Sequence, residues 1–177
     1  AILKDFDSFM YCHVYYSFFK EYVAKNHEDD YKLLTFWIEY NIFKKEYAKF
    51  RKVNPNSSNM LNRSRSQSKS RIDTHVNHEY KLLEHAENIY LTYFNSNRSS
   101  SSNNIYAISF PVDIMEKVDE IFMEKKLEVD RPEDVFDEAF DFVHNKLYNI
   151  FLHYCRNENE YKKLENVLVF IDFYEIR

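Results

Sequence analysis

The chain has 177 residues and contains no glycine. A chain of this length would ordinarily contain about 12 glycines. Glycine supplies turns with positive φ and allows a backbone to approach a phosphate group closely. Its absence excludes the Walker A loop, the glycine-rich dinucleotide fingerprint and the G-x-S-x-G turn of serine hydrolases. Helices need glycine least, because asparagine can also end them, so an all-α fold is favoured.

Apolar residues recur every three or four positions along most of the chain, which is the spacing of one helix face. Such a stripe is far more typical of a helix packed on a core than of a cofactor site. Trp37 lies in the middle of the strongest stripe and is therefore predicted to be buried. The pattern predicts helices over residues 31–50, 78–94, about 111–126, 134–155 and 158–172, and two short helices within the aromatic-rich residues 4–26.

Two polar segments interrupt the helical pattern. Residues 53–73, VNPNSSNMLNRSRSQSKSRID, cannot bury enough apolar surface to offset the entropy of ordering, so they are expected to be a disordered insertion. Residues 95–104, NSNRSSSSNN, form a shorter polar loop. The helix groups between these loops have too little apolar surface to fold alone, so residues 1–177 are expected to form a single domain.

Charge, cysteine content and hydropathy narrow the class of protein further. The formal net charge of −5 argues against an obligate nucleic-acid partner. Cys12 and Cys155 stand near opposite ends of the chain and do not form a disulfide framework. Because the sequence has no apolar run of about 18 residues and no signal-peptide pattern, a cytoplasmic location is expected.

Short motifs follow one another in a recognisable order along the predicted helices. Residues 36–37 form a Phe-Trp pair within LLTFWIEYNIFKK, and residues 19–23, FKEYV, precede it. Residues 86–94 read AENIYLTYF, and residues 136–139 read FDEA, with Tyr161 following at a fitting distance. Together, these motifs resemble segments of the regulator-of-G-protein-signalling (RGS) domain family, and the resemblance covers most of the chain.

The resemblance implies both a fold and a partner. The family's fold has about nine helices, in which a four-helix bundle from the middle of the chain packs on a subdomain formed by both chain ends. RGS domains inhibit signal transduction by accelerating GTP hydrolysis on Gα, whose switch segments they bind in a transition-state-like arrangement. They supply no catalytic group and need no cofactor. The chain is therefore expected to be a protein-binding module rather than an enzyme, and any association with the inner face of the plasma membrane would come through flanking regions.

The family's Gα-contacting residues are only partly matched. The family has a Glu-Asn pair just before the Phe-Trp helix, where Asp30 stands near the Glu and Tyr31 replaces the Asn in one alignment. Without a gap, Lys32 and Leu33 fall at these positions instead. Asn104 matches a second asparagine that follows the middle helix. The candidate Gα contacts are therefore Asp30 and Asn104.

The family also uses Leu, Asp and Arg positions on its penultimate helix. Counting from Phe136 places Lys146, Ile150 and Tyr154 there. The polar pair of the family would then be replaced by an exposed apolar surface at Ile150 and Tyr154. The resemblance therefore implies Gα binding with weak or absent GTPase-activating activity, or a scaffold of the same fold that docks a partner other than Gα.

A third interpretation rests on the basic tract NRSRSQSKSR within the polar insertion. A helical adaptor could use this tract to contact nucleic acid or anionic lipid. Within it, Ser66 and Ser68 each follow an arginine by three residues, so both are candidate phosphorylation sites for a basophilic kinase.

Two further groups of residues could suggest a metal site. His78 and His85 lie seven positions apart, which separates them by about 10 Å along a helix, so one zinc ion would not bridge them. Solvent-facing histidines, His75 among them, are expected instead. Glu116, Asp119, Glu120 and Glu124 are likewise interpreted as a solvated helix face, so no metal site is predicted.

Overall fold

The computed structural model describes residues 5–53, 69–94, 104–123, 134–160 and 162–166, of which residues 53 and 69–79 are described by their backbone alone. Within these ranges the chain is mostly helical and contains no β-strand, which confirms the all-α fold class. The helices are α1 (Phe6–Tyr11), α2 (His13–Asn26), a 3₁₀ turn (Glu28–Asp30), α3 (Tyr31–Val53), α4 (Lys69–Tyr93), α5 (Val112–Met123) and α6 (Asp137–Arg156). Residues 158–160 and 162–166 are also helical.

The chain divides into two compact units. The terminal unit combines Ala1–Leu34 with Val143–Arg177, so it draws on both ends of the chain. The central unit consists of Thr35–Phe142. Helix α3 supplies its first turn to the terminal unit and the rest to the central unit, whereas α6 supplies its first residues to the central unit.

Asp5, Cys12 and Pro111 lie at the starts of α1, α2 and α5, and of these Asp5 caps its helix through its side chain. Asp5 has an extended backbone and caps α1, because its carboxylate accepts a 2.7 Å hydrogen bond from the backbone N–H of Ser8. Cys12 ends α1 and begins α2, which confirms two short helices in this aromatic-rich segment. Pro111 stands immediately before α5 rather than in its first turn, and its carbonyl accepts a 3.0 Å bond from the Met115 N–H.

The core of the terminal unit is a group of aromatic rings from α1, α2 and α6. Phe9 is 2% exposed, and its ring centroid lies 4.8 Å from that of Phe151 and 6.0 Å from that of Tyr154. Phe19 is fully buried and meets Tyr154 edge to face at 5.7 Å. Aromatic rings bury large apolar areas, so this group supplies much of the unit's stability.

The core of the central unit is built around α3 and the end of α4. Phe36 is fully buried and meets the ring of Tyr93 edge to face at 5.2 Å. Phe94 stacks on Phe110 at 4.4 Å, so the chain that leads into α5 is anchored to the end of α4. Trp37 is 5% exposed, which confirms the prediction that it is a core residue.

The predicted boundary of the polar insertion at residues 53–73 is wrong at both ends. Helix α3 includes Val53, and α4 begins at Lys69, so residues 69–73 are helical where a disordered segment was expected. Extending an existing helix adds a hydrogen bond for each residue without a new nucleation cost, so polar residues can continue it beyond the apolar stripe. Residues 54–68, and the last part of the helix predicted over 158–172, lie outside the described residues.

Candidate functional site

The loop formed by residues 104–111 is hydrogen-bonded to the C-terminal end of α4. The side-chain Nδ2 of Asn104 donates a 2.9 Å hydrogen bond to the carbonyl of Thr92. The backbone N–H of Ile108 donates another 2.9 Å bond to the carbonyl of Tyr93. The last carbonyls of a helix have no partner within the helix, so the loop satisfies two of them and caps α4.

Asn104 is also fixed by the loop itself. Its Oδ1 accepts a 3.1 Å bond from the N–H of Tyr106, and its backbone carbonyl accepts a 3.1 Å bond from the N–H of Ala107. This arrangement is an Asx turn, in which the side chain copies part of a backbone turn. The oxygen and the nitrogen of the Asn104 amide are therefore both hydrogen-bonded to nearby backbone groups, which fixes the orientation of the side chain. An amide nitrogen carries two N–H groups, so a second hydrogen bond can still be donated.

The same loop presents two large apolar side chains outward. Ile105 is 73% exposed and Tyr106 is 46% exposed, whereas Ile108 and Phe110 are buried in the central unit. Binding residues are often carried on loops that a rigid scaffold positions, so this loop is a candidate interaction surface. The sequence did not single out Ile105 and Tyr106, because a short apolar pair after a polar run has no helical or strand periodicity.

Asp30, the other candidate contact, ends the 3₁₀ turn between α2 and α3 in the terminal unit. Its backbone N–H donates a 2.9 Å bond to the carbonyl of His27. Its Oδ2 lies 3.8 Å from the His27 Nδ1, a separation that gives an ion pair only when the histidine is protonated. The carboxylate is 40% exposed and so remains accessible to a partner. Asn104 lies in the central unit, whereas Asp30 lies in the terminal unit, so the two candidate contacts belong to different units.

The expected apolar surface on α6 is wrong. Lys146 is exposed, but Ile150 is 7% exposed and Tyr154 is fully buried. Tyr154 packs against α1 and α2 within the terminal unit, with its ring 5.1 Å from that of Tyr22. Burial, together with the negative charge of Glu160, raises the pKa of Tyr154 to about 12. The apolar stripe of α6 continues to the end of the helix, so these positions belong to the core and not to a partner surface.

The carboxylate of Asp137, in the FDEA motif, contacts Lys44 and Tyr40 of α3. The Nζ of Lys44 on α3 lies 2.8 Å from a carboxylate oxygen of Asp137 and 3.2 Å from one of Asp134. The hydroxyl of Tyr40 donates a 2.8 Å bond to Asp137, and its ring stacks on Phe140 at 4.1 Å. Partial burial lowers the pKa of Lys44, but the bonds to the two aspartates outweigh that effect and raise it overall. The group therefore ties α3 to the start of α6.

The prediction of a solvent-facing His85 is also wrong. Its side chain is only 19% exposed and lies between the carboxylates of Glu39 and Glu46 on α3. The side chains of His75 and His78 fall outside the part of the chain that the structure describes. Among the described residues, no group of three or more His, Cys, Asp or Glu side chains is arranged to hold a metal ion.

The acidic residues of α5 do not form a purely solvated face. Asp119 accepts a 2.6 Å hydrogen bond from the hydroxyl of Tyr90, which links α5 to α4. Glu116 and Glu120 are exposed, as the sequence predicts. Glu124 lies beyond the described end of α5.

The phosphorylation candidates Ser66 and Ser68 lie outside the described residues, as does most of the basic tract that contains them. No helix in the described ranges is both long and apolar enough to cross a membrane. The described candidate contacts are therefore Asp30 and Asn104, the latter with the exposed pair Ile105 and Tyr106 beside it.

No protein-family model matches the chain, and comparisons with curated proteins and with solved structures also give no match.

Proposed function

We propose that the chain is an RGS-like protein-binding domain that binds a Gα subunit and has weak or absent GTPase-activating activity. The observation that carries the proposal is the loop after α4, where Asn104 is held by hydrogen bonds next to the exposed Ile105 and Tyr106. The resemblance to the family assigns a Gα-contacting asparagine to this position. A side chain that is already oriented loses little entropy when it binds a partner.

The division of the chain supports the same proposal. The resemblance implies one subdomain from both chain ends and one from the middle, and the chain has a terminal unit and a central unit of that composition. The Phe-Trp pair lies on α3, and both side chains are buried in the central unit. These motif residues therefore have a structural role that is independent of any partner.

Three features argue that stimulation of GTP hydrolysis is weak. Where the family has Glu and Asn, one alignment places Asp30 and Tyr31 and the other places Lys32 and Leu33, so neither supplies the family's asparagine. The Oδ1 of Asn104 is already bonded to Tyr106. Ile150 and Tyr154 are buried and cannot replace the family's Asp and Arg contacts. One missing polar contact is worth about 1–3 kcal/mol, which corresponds to roughly a five- to hundredfold lower rate.

The test is binding to a panel of Gα subunits, each loaded either with GDP alone or with GDP and aluminium fluoride, which imitates the transition state. We expect tighter binding to the aluminium-fluoride form of at least one Gα. The double variant Ile105→Ser/Tyr106→Ser should weaken that binding without unfolding the chain, since both side chains are exposed. Tyr80→Ser is the matched control, because Tyr80 is 68% exposed and lies on the same helix as Thr92, about 18 Å before it.

Single-turnover GTPase assays address the activity separately. We expect less than about a tenfold acceleration for any Gα, because several orienting contacts are missing. Strong acceleration would overturn the weak-activity part of the proposal. Equal or no binding to both nucleotide forms of every Gα would overturn Gα recognition and favour the second candidate, a scaffold of the same fold that docks another protein. The exposed Ile105 and Tyr106 fit that candidate as well as Gα, since an apolar pair suits an apolar or aromatic residue of either partner.

A further inference from the structure

His85 connects α4 to α3 through both nitrogens of its ring. Its Nδ1 lies 2.9 Å from the Oε2 of Glu46, and its Nε2 lies 3.2 Å from the Oε2 of Glu39. The two glutamates are seven residues apart, which is about two turns or about 10 Å along α3, so the ring lies between them. The ring also meets Phe43 at 5.7 Å and 85°, and Phe43 is fully buried.

The protonation state of the ring decides how many of these contacts are hydrogen bonds. A neutral imidazole has one N–H and one lone pair, whereas the imidazolium has two N–H groups, and an ionised carboxylate only accepts. A neutral His85 can therefore donate to Glu39 or to Glu46, but its other nitrogen then directs a lone pair at a carboxylate oxygen. The protonated ring donates to both glutamates, and both bonds are strengthened by charge.

From this geometry we propose that His85, Glu39 and Glu46 form a hydrogen-bonded link between α3 and α4 that is stronger when the His85 ring is protonated, and we call this link the brace. The proposal does not depend on Gα binding. The charged groups placed against the ring are Glu39 and Glu46 of α3, and Lys81 lies one helical turn earlier on α4, where it is exposed. His85 is sheltered at 19% exposure, whereas the side chains of Glu39 and Glu46 are 44% and 48% exposed and remain hydrated.

The direction of the effect follows from the hydrogen-bond count. The brace is complete while His85 carries both ring protons, and it loses one bond when the pH rises and one proton leaves.

The test compares the full chain with its His85→Gln variant by thermal unfolding at about pH 5.5 and pH 8. Glutamine can hydrogen-bond to one glutamate but cannot become charged. We expect the substitution to lower the Tm by about 2–4 °C more at pH 5.5 than at pH 8. His13→Gln is the matched control, because His13 is exposed in the first turn of α2, where a protonated imidazole opposes the helix dipole, so its loss should not lower the Tm more at pH 5.5 than at pH 8. Glu39→Gln and Glu46→Gln should each reduce the pH dependence of the unsubstituted chain.

A second measurement remains decisive even if His85→Gln does not fold. The ¹⁵N chemical shifts of the His85 ring in the unsubstituted protein report how many protons the ring carries. We expect both nitrogens to be protonated at about pH 5.5, with hydrogen-bonded N–H signals to Glu39 and Glu46, and one proton to be lost by about pH 8. A ring with a single proton throughout this range would overturn the proposal, as would an equal loss of Tm at the two pH values.

Discussion

The two units of the molecule use different means to join their helices. In the terminal unit, the rings of Phe9, Phe19 and Tyr154 bring α1, α2 and α6 together. The central unit has a comparable group of rings but adds polar links between helices, from Lys44 to Asp137 and from Tyr90 to Asp119. The terminal unit has a longer contact of this kind, at 3.5 Å between the Nε2 of His144 on α6 and the Oδ1 of Asp7 on α1, and it is an ion pair only when the histidine is protonated. Apolar burial responds little to salt or to pH near neutrality, whereas ionic links respond to both. The two units should therefore be affected by different solution conditions.

This difference bears on the candidate interaction surface. The loop that carries Asn104, Ile105 and Tyr106 belongs to the central unit and is bonded to the end of α4. Helix α4 is in turn linked to α3 through His85 and to α5 through Tyr90. Changes of charge in the central unit therefore act on the helix that holds the loop, whereas the terminal unit is stabilised mainly by packing in its described core.

The largest expected effect is the loss of a ring from the terminal unit. Phe9→Ala should lower the free energy of unfolding by about 3–5 kcal/mol, because it opens a cavity among Tyr15, Phe19 and Phe151. The loss should be the same at low and high salt in urea denaturation. Tyr11→Ala is the control, since Tyr11 is 58% exposed and its loss should change stability by no more than about 0.5 kcal/mol. A strongly salt-dependent loss in Phe9→Ala would contradict the contrast between the units.

A smaller effect is expected from the main ionic link of the central unit. Lys44→Met removes the cation between Asp134 and Asp137 but keeps most of the aliphatic side chain. Because all three groups are partly exposed, we expect a loss of about 1 kcal/mol at low salt, which shrinks at about 0.5 M NaCl. The pKa of Lys44 is raised in the folded state, so its contribution should be present near neutral pH and be lost as the pH rises through that raised pKa.

The control for this link is Lys117→Met. Lys117 contacts Glu138 at 2.7 Å, but both side chains are more than half exposed, at 60% and 58%. Its loss should therefore be smaller than that of Lys44→Met. If Lys117→Met proves equally costly, the partial burial of the Lys44 group does not determine its strength.

The helices were predictable from the sequence where one apolar stripe faces one core. Helix α3 follows its predicted range closely, and Trp37 is buried as expected, because a long stripe of rings can only be satisfied by packing. The start of α4 at Lys69 was missed, since its first residues are polar and carry no periodic signal. The capping of α4 by Asn104 and the exposure of Ile105 were also missed. Both depend on where the loop meets α4, and the spacing of apolar residues in the sequence carries no information on that.

Ile150 and Tyr154 show a different limit of sequence reasoning. Counting positions from a motif assigns a residue to a helix face only if the partner helices are also known. The rings of α1 and α2 cover Tyr154, and these helices are more than 100 residues away in the sequence. The apolar spacing of α6 already places Ile150 and Tyr154 on its core face, whereas the helices that cover Tyr154 become known only from the meeting of the chain ends in one unit.

The smallest effect at neutral pH is expected from Tyr154→Phe in the terminal unit. The Tyr154 side chain is fully buried, and its hydroxyl has no hydrogen-bond partner among the described residues. A buried hydroxyl without a partner loses its hydration on folding and gains nothing in return. Removing it should leave the free energy of unfolding unchanged or raise it by up to about 1 kcal/mol. Tyr148→Phe is the control on the same helix, since Tyr148 is 42% exposed.

The same variant should change the response to alkaline pH. Burial raises the pKa of Tyr154 to about 12, above the ordinary tyrosine value of 10.0, so the folded state favours the neutral phenol. The corresponding stability is complete below about pH 10 and is lost as the pH rises toward about 12, because the unfolded chain releases the proton first. Tyr154→Phe should therefore lose stability less steeply in this range, as followed by circular dichroism. Burial also raises the pKa of Tyr16 to about 12, so the Tyr154→Phe variant should still lose some stability between about pH 10 and pH 12.

A loss of more than about 1 kcal/mol at neutral pH would instead show that the Tyr154 hydroxyl makes a stabilising hydrogen bond, and the terminal unit would then depend on a polar link as the central unit does.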